Sequence, residues 1–504
     1  MLGTLVDRFG GVLRGGLGRE IDLAGVSLDS RKIAANELYV AIPGVSTDGS
    51  RFAGAALKAG AGAVLAPLEN ADLSTAIERS GAPLWLHPQA RGLAGRVASE
   101  LHGNPSHELY VVAITGTNGK TTTAGLIHDL WTSCGKRSGV LGTVGNQLAG
   151  GHFEAATHTT PDGPGLQALL AQHVRLGGDS IVMEVSSHAL DQERIAGVEI
   201  DVAIFTNLGR DHLDYHGSID HYAAAKALLF SALDHNSTAV INADDPRHQV
   251  MVAAAAKRHA RITTFGVATN GTAHVADLRA SQLVMNLQGT LLTLSGMGFS
   301  GVKLRLPLLG RHNVENALAA TAAVLMSGAS PSALAEGLAT VSAPPGRLER
   351  IGDDAISGRR PAVFVDYAHT PDALIRVLEV LREALPTGKR LFVVFGCGGD
   401  RDRGKRLLMG RAAASRADTV VITSDNPRSE DPTAICDAIA AGARGASAEV
   451  FVEVDRRAAI RLALSAAGPG DVVLVAGKGH ESTQVIGTEA LPFSDREVVL
   501  EELA

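Results

Sequence analysis

Three cysteines are all that 504 residues contain: Cys134, Cys397 and Cys436, far apart and with no C-x-x-C pair. That excludes a disulfide framework and a thiolate zinc site, and it suits a reducing compartment. Long apolar runs are missing too, none approaching the ~18 residues of a membrane-spanning helix. The opening MLGTLVDRFGGVLRGG lacks the apolar segment of a signal peptide, so a soluble cytoplasmic protein is expected. Nor is basic charge in excess. A formal net charge of −7 argues against a general nucleic-acid binder, which needs a positive face to neutralise phosphates. The 45% hydrophobic and 20% charged residues that remain are ordinary for globular protein. The length exceeds one core, and about three domains is the prior.

One more absence is local. Residues 111–115 (VVAIT) read as a buried strand, and TTTAGLIHDLW from Thr121 has helical spacing, with Leu126, Ile127, Leu130 and Trp131 on one face. Between them lies Gly116-Thr117-Asn118-Gly119-Lys120-Thr121-Thr122. The common G-x-x-x-x-G-K-[ST] loop would have glycine at 114, where Ile114 stands. Strand, glycine loop, Lys-Thr and helix nevertheless present backbone N–H groups and a helix N-terminus to a polyphosphate. In that setting Lys120 reaches the terminal phosphates and the Thr121 hydroxyl ligates Mg²⁺.

Residues 1–108 read as a small α/β unit: strand 37–42, polar turn 44–49, helix 52–60 stopped by Gly60, strand 63–66. Its Ser, Thr and Asp residues, Asp29 included, are turn formers on sequence grounds. Gly103-Asn104-Pro105-Ser106 is a linker. From 109 to 343 strands and helices alternate, which implies a mostly parallel sheet. Ligands bind at the carboxyl ends of such strands, and three ends converge on one polar site: Gly116–Thr121, Glu184, and the loop from Asn207 to His216. From 344 to 504 a third α/β unit has strands ending in DYAHTPD, GCGGDRDRGKR, SDNPRSEDP and GKGHE. Its GCGG is not G-x-G-x-x-G, so no dinucleotide fold follows from it.

Glu184, at a strand end beside the phosphate loop, is placed to hold Mg²⁺ with Thr121. His212 is a softer candidate ligand, with a surface role as the bland alternative. Lys226 lies on an alanine-rich helix with Tyr222 and Phe230 on the same face, so its stem is at least partly covered.

Gly116–Thr122, Glu184-Val185-Ser186-Ser187-His188, Thr206-Asn207-Leu208, Asp211-His212-Leu213-Asp214, Lys226, Gly346-Arg347, Asp366-Tyr367-Ala368-His369 and Gly477-Lys478-Gly479-His480-Glu481 stand in one order along the chain. In that order they resemble the Mur ligases, specifically the branch that adds the third residue of the peptidoglycan stem peptide. The family's loop is the shorter G-T-N-G-K-T form, which accounts for Ile114. The resemblance implies three α/β domains: a small N-terminal domain (1–108) holding the UDP substrate, a central P-loop, mostly parallel-sheet ATPase domain (109–343), and a C-terminal Rossmann-like domain (344–504) holding the amino acid.

It also implies roles. Leu28, Ser30, Val45, Ser46 and Thr47 match positions for the UDP end, and His158, Thr159, Thr160, Ser186, Gln192 and Arg194 those for the muramoyl-dipeptide. The Thr159-Thr160 pair is followed by Pro161, a departure that removes a backbone donor. Lys120, Glu184, His212 and Lys226 match the catalytic centre. Thr121, Glu184 and His212 match the Mg²⁺ environment, and Lys226 matches a lysine carried as a carbamate. Asn313, Arg347 and Asp366 match adenine-, phosphate- and ribose-side contacts to ATP. Arg401, Asp425-Asn426-Pro427-Arg428, Gly477 and Glu481 match the amino-acid pocket.

In this family the D-N-P-R form goes with meso-diaminopimelate rather than lysine. The guanidinium fork of Arg428 suits the second carboxylate that lysine lacks, and leaving it unpaired penalises lysine. The implied reaction is ATP-dependent amide formation on UDP-MurNAc-L-Ala-D-Glu through an acyl phosphate, in a monomer whose third domain closes on hinges near 105–108 and 342–346. Alternatives are L-lysine as the added residue, a folylpolyglutamate synthase-like ligase, or a P-loop switch that only hydrolyses nucleotide.

Overall fold

The computed structural model describes the chain except residues 16–17, 45–46, 69–76, 78–80, 269–275 and 353–359. It divides into two compact units, residues 1–264 with 322–328, and residues 265–321 with 329–504.

The first unit holds two sheets. Near the N-terminus, strands Gly25–Ser27, Glu37–Val40, Ala63–Ala66 and Leu84–Leu86 run parallel, with Val12–Arg14 antiparallel at the edge. The alternation read between 37 and 66 thus forms the expected strands, and Gly60, left-handed at φ 113°, stops helix Ala53–Ala59. The larger sheet sets Thr238–Asn242, Val202–Phe205, Tyr110–Thr115, Ser180–Glu184 and Ser138–Leu141 side by side and parallel. These strands are apolar and buried on both faces, as parallel sheets covered by helices require. Their connections move outward from Tyr110–Thr115 to Ser138–Leu141, return to Ser180–Glu184, and then pass to the other side at Val202–Phe205. The reversal opens a crevice at the carboxyl end of Tyr110–Thr115. Leu126, Ile127, Leu130 and Trp131 of helix Lys120–Ser133 are fully buried, as their spacing predicts.

In the second unit, Ala362–Asp366, Val472–Ala476, Leu391–Phe395, Thr419–Ile422 and Glu449–Val452 form a parallel sheet with Glu349–Ile351 antiparallel at one edge. The register pairs Asp366 with Ala476 and Phe395 with Ile422, so the polar loops that follow emerge along one edge. Leu278–Asn286, Gly289–Gly296 and Phe299–Leu306 form an antiparallel meander, a departure from the parallel alternation expected up to 343. Its last turn, Met297-Gly298, has φ of 47° and 91°, the two-residue hairpin geometry that matches strand twist. No helix among the described residues is long and apolar enough to cross a membrane.

Candidate active site

The phosphate loop is shaped by what the neighbouring strand end leaves room for. A Cβ on Gly116 would lie 1.9 Å from Thr206 Oγ1, so only glycine fits beneath that hydroxyl. Gly119 (φ 86°) turns the chain into the helix that begins at Lys120. Asn207 clamps the loop from the other side: its Oδ1 accepts from Asn118 N–H at 3.0 Å and its Nδ2 donates to Asn118 carbonyl at 3.1 Å. The Thr117 hydroxyl accepts from Gly209 N–H at 2.8 Å. The Lys120 ammonium donates to the carbonyls of Gly116 (2.8 Å) and Thr117 (3.0 Å).

Lys226, only 1% exposed, donates to the same Gly116 carbonyl at 2.9 Å and lies 4.4 Å from the Tyr222 ring centre. Its covering is therefore complete, within the at-least-partial cover that periodicity indicated. Burial, reinforced by the Lys120 charge and opposed by Asp211, holds the Lys226 amine well below the usual lysine range.

Glu184 is 2% exposed at the end of its strand. Its Oε2 accepts from the Thr121 and Thr143 hydroxyls at 3.0 and 3.2 Å, and its Oε1 from Thr143 N–H at 2.9 Å. Gly142 makes the space, since a Cβ there would lie 2.3 Å from Oε1. One carboxylate beside one hydroxyl suits Mg²⁺, which completes its shell with phosphates and water rather than a protein cage. No group of three or more His, Cys, Asp or Glu that could hold a metal is found among the described residues. His212 sits in the left-handed region (φ 51°), half exposed, 4.8 Å from the His188 ring and 3.5 Å from Asp211 Oδ2. No described hydrogen bond joins it to Glu184 or Thr121.

A second cluster continues from Glu184. The buried Thr160 hydroxyl donates to the Glu184 carbonyl (2.9 Å) and accepts from Ser186 N–H (3.1 Å), while Arg194 Nη1 donates to Thr160 carbonyl (2.8 Å). Arg194 also grips Gln192 Oε1 at 2.8 Å, and the Thr159 and Thr143 hydroxyls meet at 3.0 Å. Ser186 caps helix Ser187–Asp191. Five of the six residues matched to the muramoyl-dipeptide thus join one network. The sixth, His158, is exposed and, among the described residues, meets only the Thr157 hydroxyl, at 3.1 Å. Directly after Pro161, Asp162 caps the following helix by accepting from Gly165 N–H at 2.8 Å. In the N-terminal sheet's loops Leu28 and Ser30 are half-buried and Thr47 is exposed, whereas Val45 and Ser46 lie outside the described residues. Asp29 Oδ1 accepts from Arg31 N–H at 3.1 Å, the turn role expected of it, and its carboxylate also takes two guanidinium hydrogen bonds from Arg31, at 2.9 and 2.8 Å.

The second unit gathers the remaining candidates. The Arg347 guanidinium lies 5.0 Å over the Tyr367 ring, with His480 at 5.3 Å from the same ring. Asp366 accepts from Leu348 and Ala368 N–H at 2.6 and 2.8 Å, and burial pushes its carboxyl up to about 6 against the opposing pull of Arg347 and those donors. Asn313 is buried and donates to Leu309 carbonyl at 2.9 Å. Asp425, Asn426 and Pro427 are buried; Gly477 is required beside them, since its Cβ would lie 2.7 Å from Asp425 Oδ2. Arg428 (φ 51°) is half-buried, its Nη1 anchored on Gly399 carbonyl at 2.8 Å. Among the described residues no carboxylate stands within ion-pair distance of it. Arg401 is exposed and, among the described residues, hydrogen-bonds only to the Asp400 carbonyl at 3.5 Å, so hydrogen bonding does not join it to the Asp425–Arg428 loop.

Comparison with known proteins gives the family. The chain is 44% identical to a UDP-N-acetylmuramoyl-L-alanyl-D-glutamate--2,6-diaminopimelate ligase of Chromobacterium violaceum, covering 95% of this chain and 94% of that protein. The chain belongs to the Mur ligase family. The same ligase of Alkalilimnicola ehrlichii is 45% identical over 95% of each chain. Family models match this Mur ligase at residues 22–95 (Mur ligase family, catalytic domain), 114–324 (Mur ligase middle domain) and 346–479 (Mur ligase, glutamate ligase domain). A solved 2,6-diaminopimelate ligase structure shares 37% identity and a TM-score of 0.70, covering 95% of this chain and 94% of that one. A folylpolyglutamate synthase of Mycobacterium tuberculosis, 24% identical with a TM-score of 0.59, covers 75% of this Mur ligase and shares the fold alone.

Sequence reading missed Thr143, which supplies two of the three donors to Glu184; its one signal was its place after Gly142 at a strand end. It also passed over Arg456. That guanidinium, fully buried, pairs bidentately with Asp495 (2.7 Å twice) and donates to Ser424 and Ala476 carbonyls at 3.2 and 3.0 Å. The two carbonyls directly precede the Asp425–Arg428 and Gly477–Glu481 loops.

Proposed function

We infer that this Mur ligase joins meso-2,6-diaminopimelate to the D-Glu of UDP-MurNAc-L-Ala-D-Glu at the expense of ATP, in peptidoglycan precursor synthesis. The observation that carries the choice of amino acid is Arg428: a half-buried guanidinium, fixed at Nη1 and facing no protein carboxylate among the described residues. A substrate carboxylate completes it; lysine would leave it unpaired. The end-to-end match to proteins named for that reaction supports the same reading over a folylpolyglutamate synthase, which spans three quarters of the chain.

The D-Glu γ-carboxylate attacks the ATP γ-phosphorus, forming an acyl phosphate and releasing ADP. The diaminopimelate amine then attacks the acyl carbon, and the tetrahedral intermediate collapses to the amide as inorganic phosphate leaves. Gly116–Thr122 cradle the phosphates through backbone N–H groups, and Lys120, released from its loop carbonyls, balances their charge. Thr121 and Glu184 would hold Mg²⁺, which when bound offsets charge on the transferring phosphoryl group. His212 and a Lys226 carbamate extend that environment in this reading. Thr160, Ser186, Gln192 and Arg194 orient the dipeptide, aided by His158 and Thr159, and Leu28, Ser30, Val45, Ser46 and Thr47 take the UDP end. Asn313, Arg347 and Asp366 serve ATP. No protein nucleophile is required. Domain limits near 108 and 343, a closing third domain, a monomeric state and a cytoplasmic location belong to the same proposal. Phosphate release measured with UDP-MurNAc-dipeptide plus diaminopimelate, lysine or nothing tests it. Release independent of any amino acid would leave a nucleotide hydrolase; preference for lysine would reverse the specificity alone.

A further inference from the structure

Lys478 is 0% exposed, yet it carries an ammonium in the middle of the amino-acid pocket's wall. Its three N–H donors are all spent: on Asn426 Oδ1 at 3.1 Å, Glu481 Oε2 at 3.0 Å and Thr483 carbonyl at 2.7 Å. An ammonium has no other donors, so Lys478 cannot also touch a ligand. What it touches are two residues already placed in that pocket. Asn426 Nδ2 donates to the same Glu481 Oε2 at 2.9 Å, and Asn426 Oδ1 also accepts from Val485 N–H at 2.9 Å. The described hydrogen bonds to the Glu481 carboxylate therefore all fall on one oxygen. Oε1 is left to meet a ligand, on a side chain 34% exposed.

We propose that Lys478 is a positioning residue for amino-acid recognition: its buried charge pins one oxygen of Glu481 and turns the other toward the substrate's ammonium group. This rests on the reading of the Asp425–Arg428 and Gly477–Glu481 loops as the amino-acid site. Arg428 then reads a carboxylate and Glu481 an ammonium, the two charges at one end of a zwitterionic amino acid. The arrangement is costly to half-dismantle. Without the ammonium, Glu481 keeps one donor and loses its counter-charge, and Asn426 Oδ1 loses one of its two donors.

The test is a double-mutant cycle in the full-length enzyme, with KM for diaminopimelate, ATP and UDP-MurNAc-dipeptide read by phosphate release. Lys478→Met keeps the stem and removes the charge. It should raise KM for diaminopimelate about tenfold or more, as expected for losing a hydrogen bond to a charged group, with KM for ATP within twofold of wild type. If Lys478 acts through Glu481, Lys478→Met combined with Glu481→Gln should be little worse than the more damaging single change. Lys478→Gln, smaller and neutral but still a donor, should fall between wild type and Lys478→Met. Additive effects in the cycle, or an equal rise in KM for ATP, would overturn the proposal. So would failure of both Lys478 variants to fold, which would make the residue a support of the fold alone. A wild-type enzyme that binds diaminopimelate no better than lysine would overturn the underlying pocket assignment, and the positioning role with it.

Discussion

Replacing Arg428 by lysine isolates the contribution of guanidinium geometry, because charge and backbone demand stay the same. Both residues must tolerate the left-handed φ of 51°, so no backbone strain is gained or relieved. Arg428 spends Nη1 on the Gly399 carbonyl at 2.8 Å and keeps the rest of its fork for a carboxylate. A lysine ammonium is a point charge on a thinner stem: if it reaches Gly399 it is displaced from the substrate, and if it reaches the substrate the Gly399 carbonyl loses its donor. Either way one charge-assisted hydrogen bond is lost, worth about 1.5–3 kcal/mol. At ~1.4 kcal/mol per tenfold, KM for diaminopimelate should rise about 10- to 100-fold. KM for ATP should be unchanged, since Arg347, Asp366 and the phosphate loop are untouched. The preference for diaminopimelate over lysine should shrink by a similar factor, as the penalty for an unpaired guanidinium disappears. Phosphate release across a concentration series of each substrate measures all three. Equal rises in KM for diaminopimelate and ATP, or an unaltered preference, would refute the assignment of Arg428.

Gly116→Ala drives a methyl carbon to within 1.9 Å of Thr206 Oγ1; activity should fall by roughly two orders of magnitude or more, given the sensitivity of phosphoryl transfer to positioning. Lys226 bears on pH: its lowered amine pKa means that the neutral, CO₂-reactive form prevails at lower pH than for an exposed lysine. Activity should therefore need bicarbonate in CO₂-depleted buffer and decline as pH falls and the amine protonates. Bicarbonate-independent turnover across that range would exclude a carbamate. Asp495→Asn strips the fully buried Arg456 of its counter-ion and should destabilise the protein by about 3–5 kcal/mol, visible as a lower thermal midpoint. A midpoint within a degree or two of wild type would show the pair to be dispensable.

The phosphate loop was legible because its parts are local. Strand, glycine, lysine, threonine and helix follow one another without interruption within residues 110–133, and each obeys a short-range rule. Turn chemistry at Asp29 and the buried face at Leu126–Trp131 were legible for the same reason. The antiparallel meander from Leu278 to Leu306 was not, because apolar alternation does not state strand direction; the Leu287-Gln288 and Met297-Gly298 turns do, and only once seen. Thr143 escaped because one threonine after a glycine has no pattern. Its meaning comes from Glu184, which stands 41 residues further along.

The sequence by itself determined the strand–glycine loop–helix around Lys120, the order of motifs that marks a Mur ligase, and the presence of Arg428 in a D-N-P-R stretch, since those are matters of residue type and spacing. Tertiary structure decided which groups are charged, neutral or already committed. Burial sets those states, and burial is the work of the whole fold. Lys226 becomes an unusual amine only when helix Ile219–Ser231 presses it under the Gly116 carbonyl. Lys478, in plain view within GKGHE, acquires a role only when the sheet brings Asn426 and Glu481 to its ammonium.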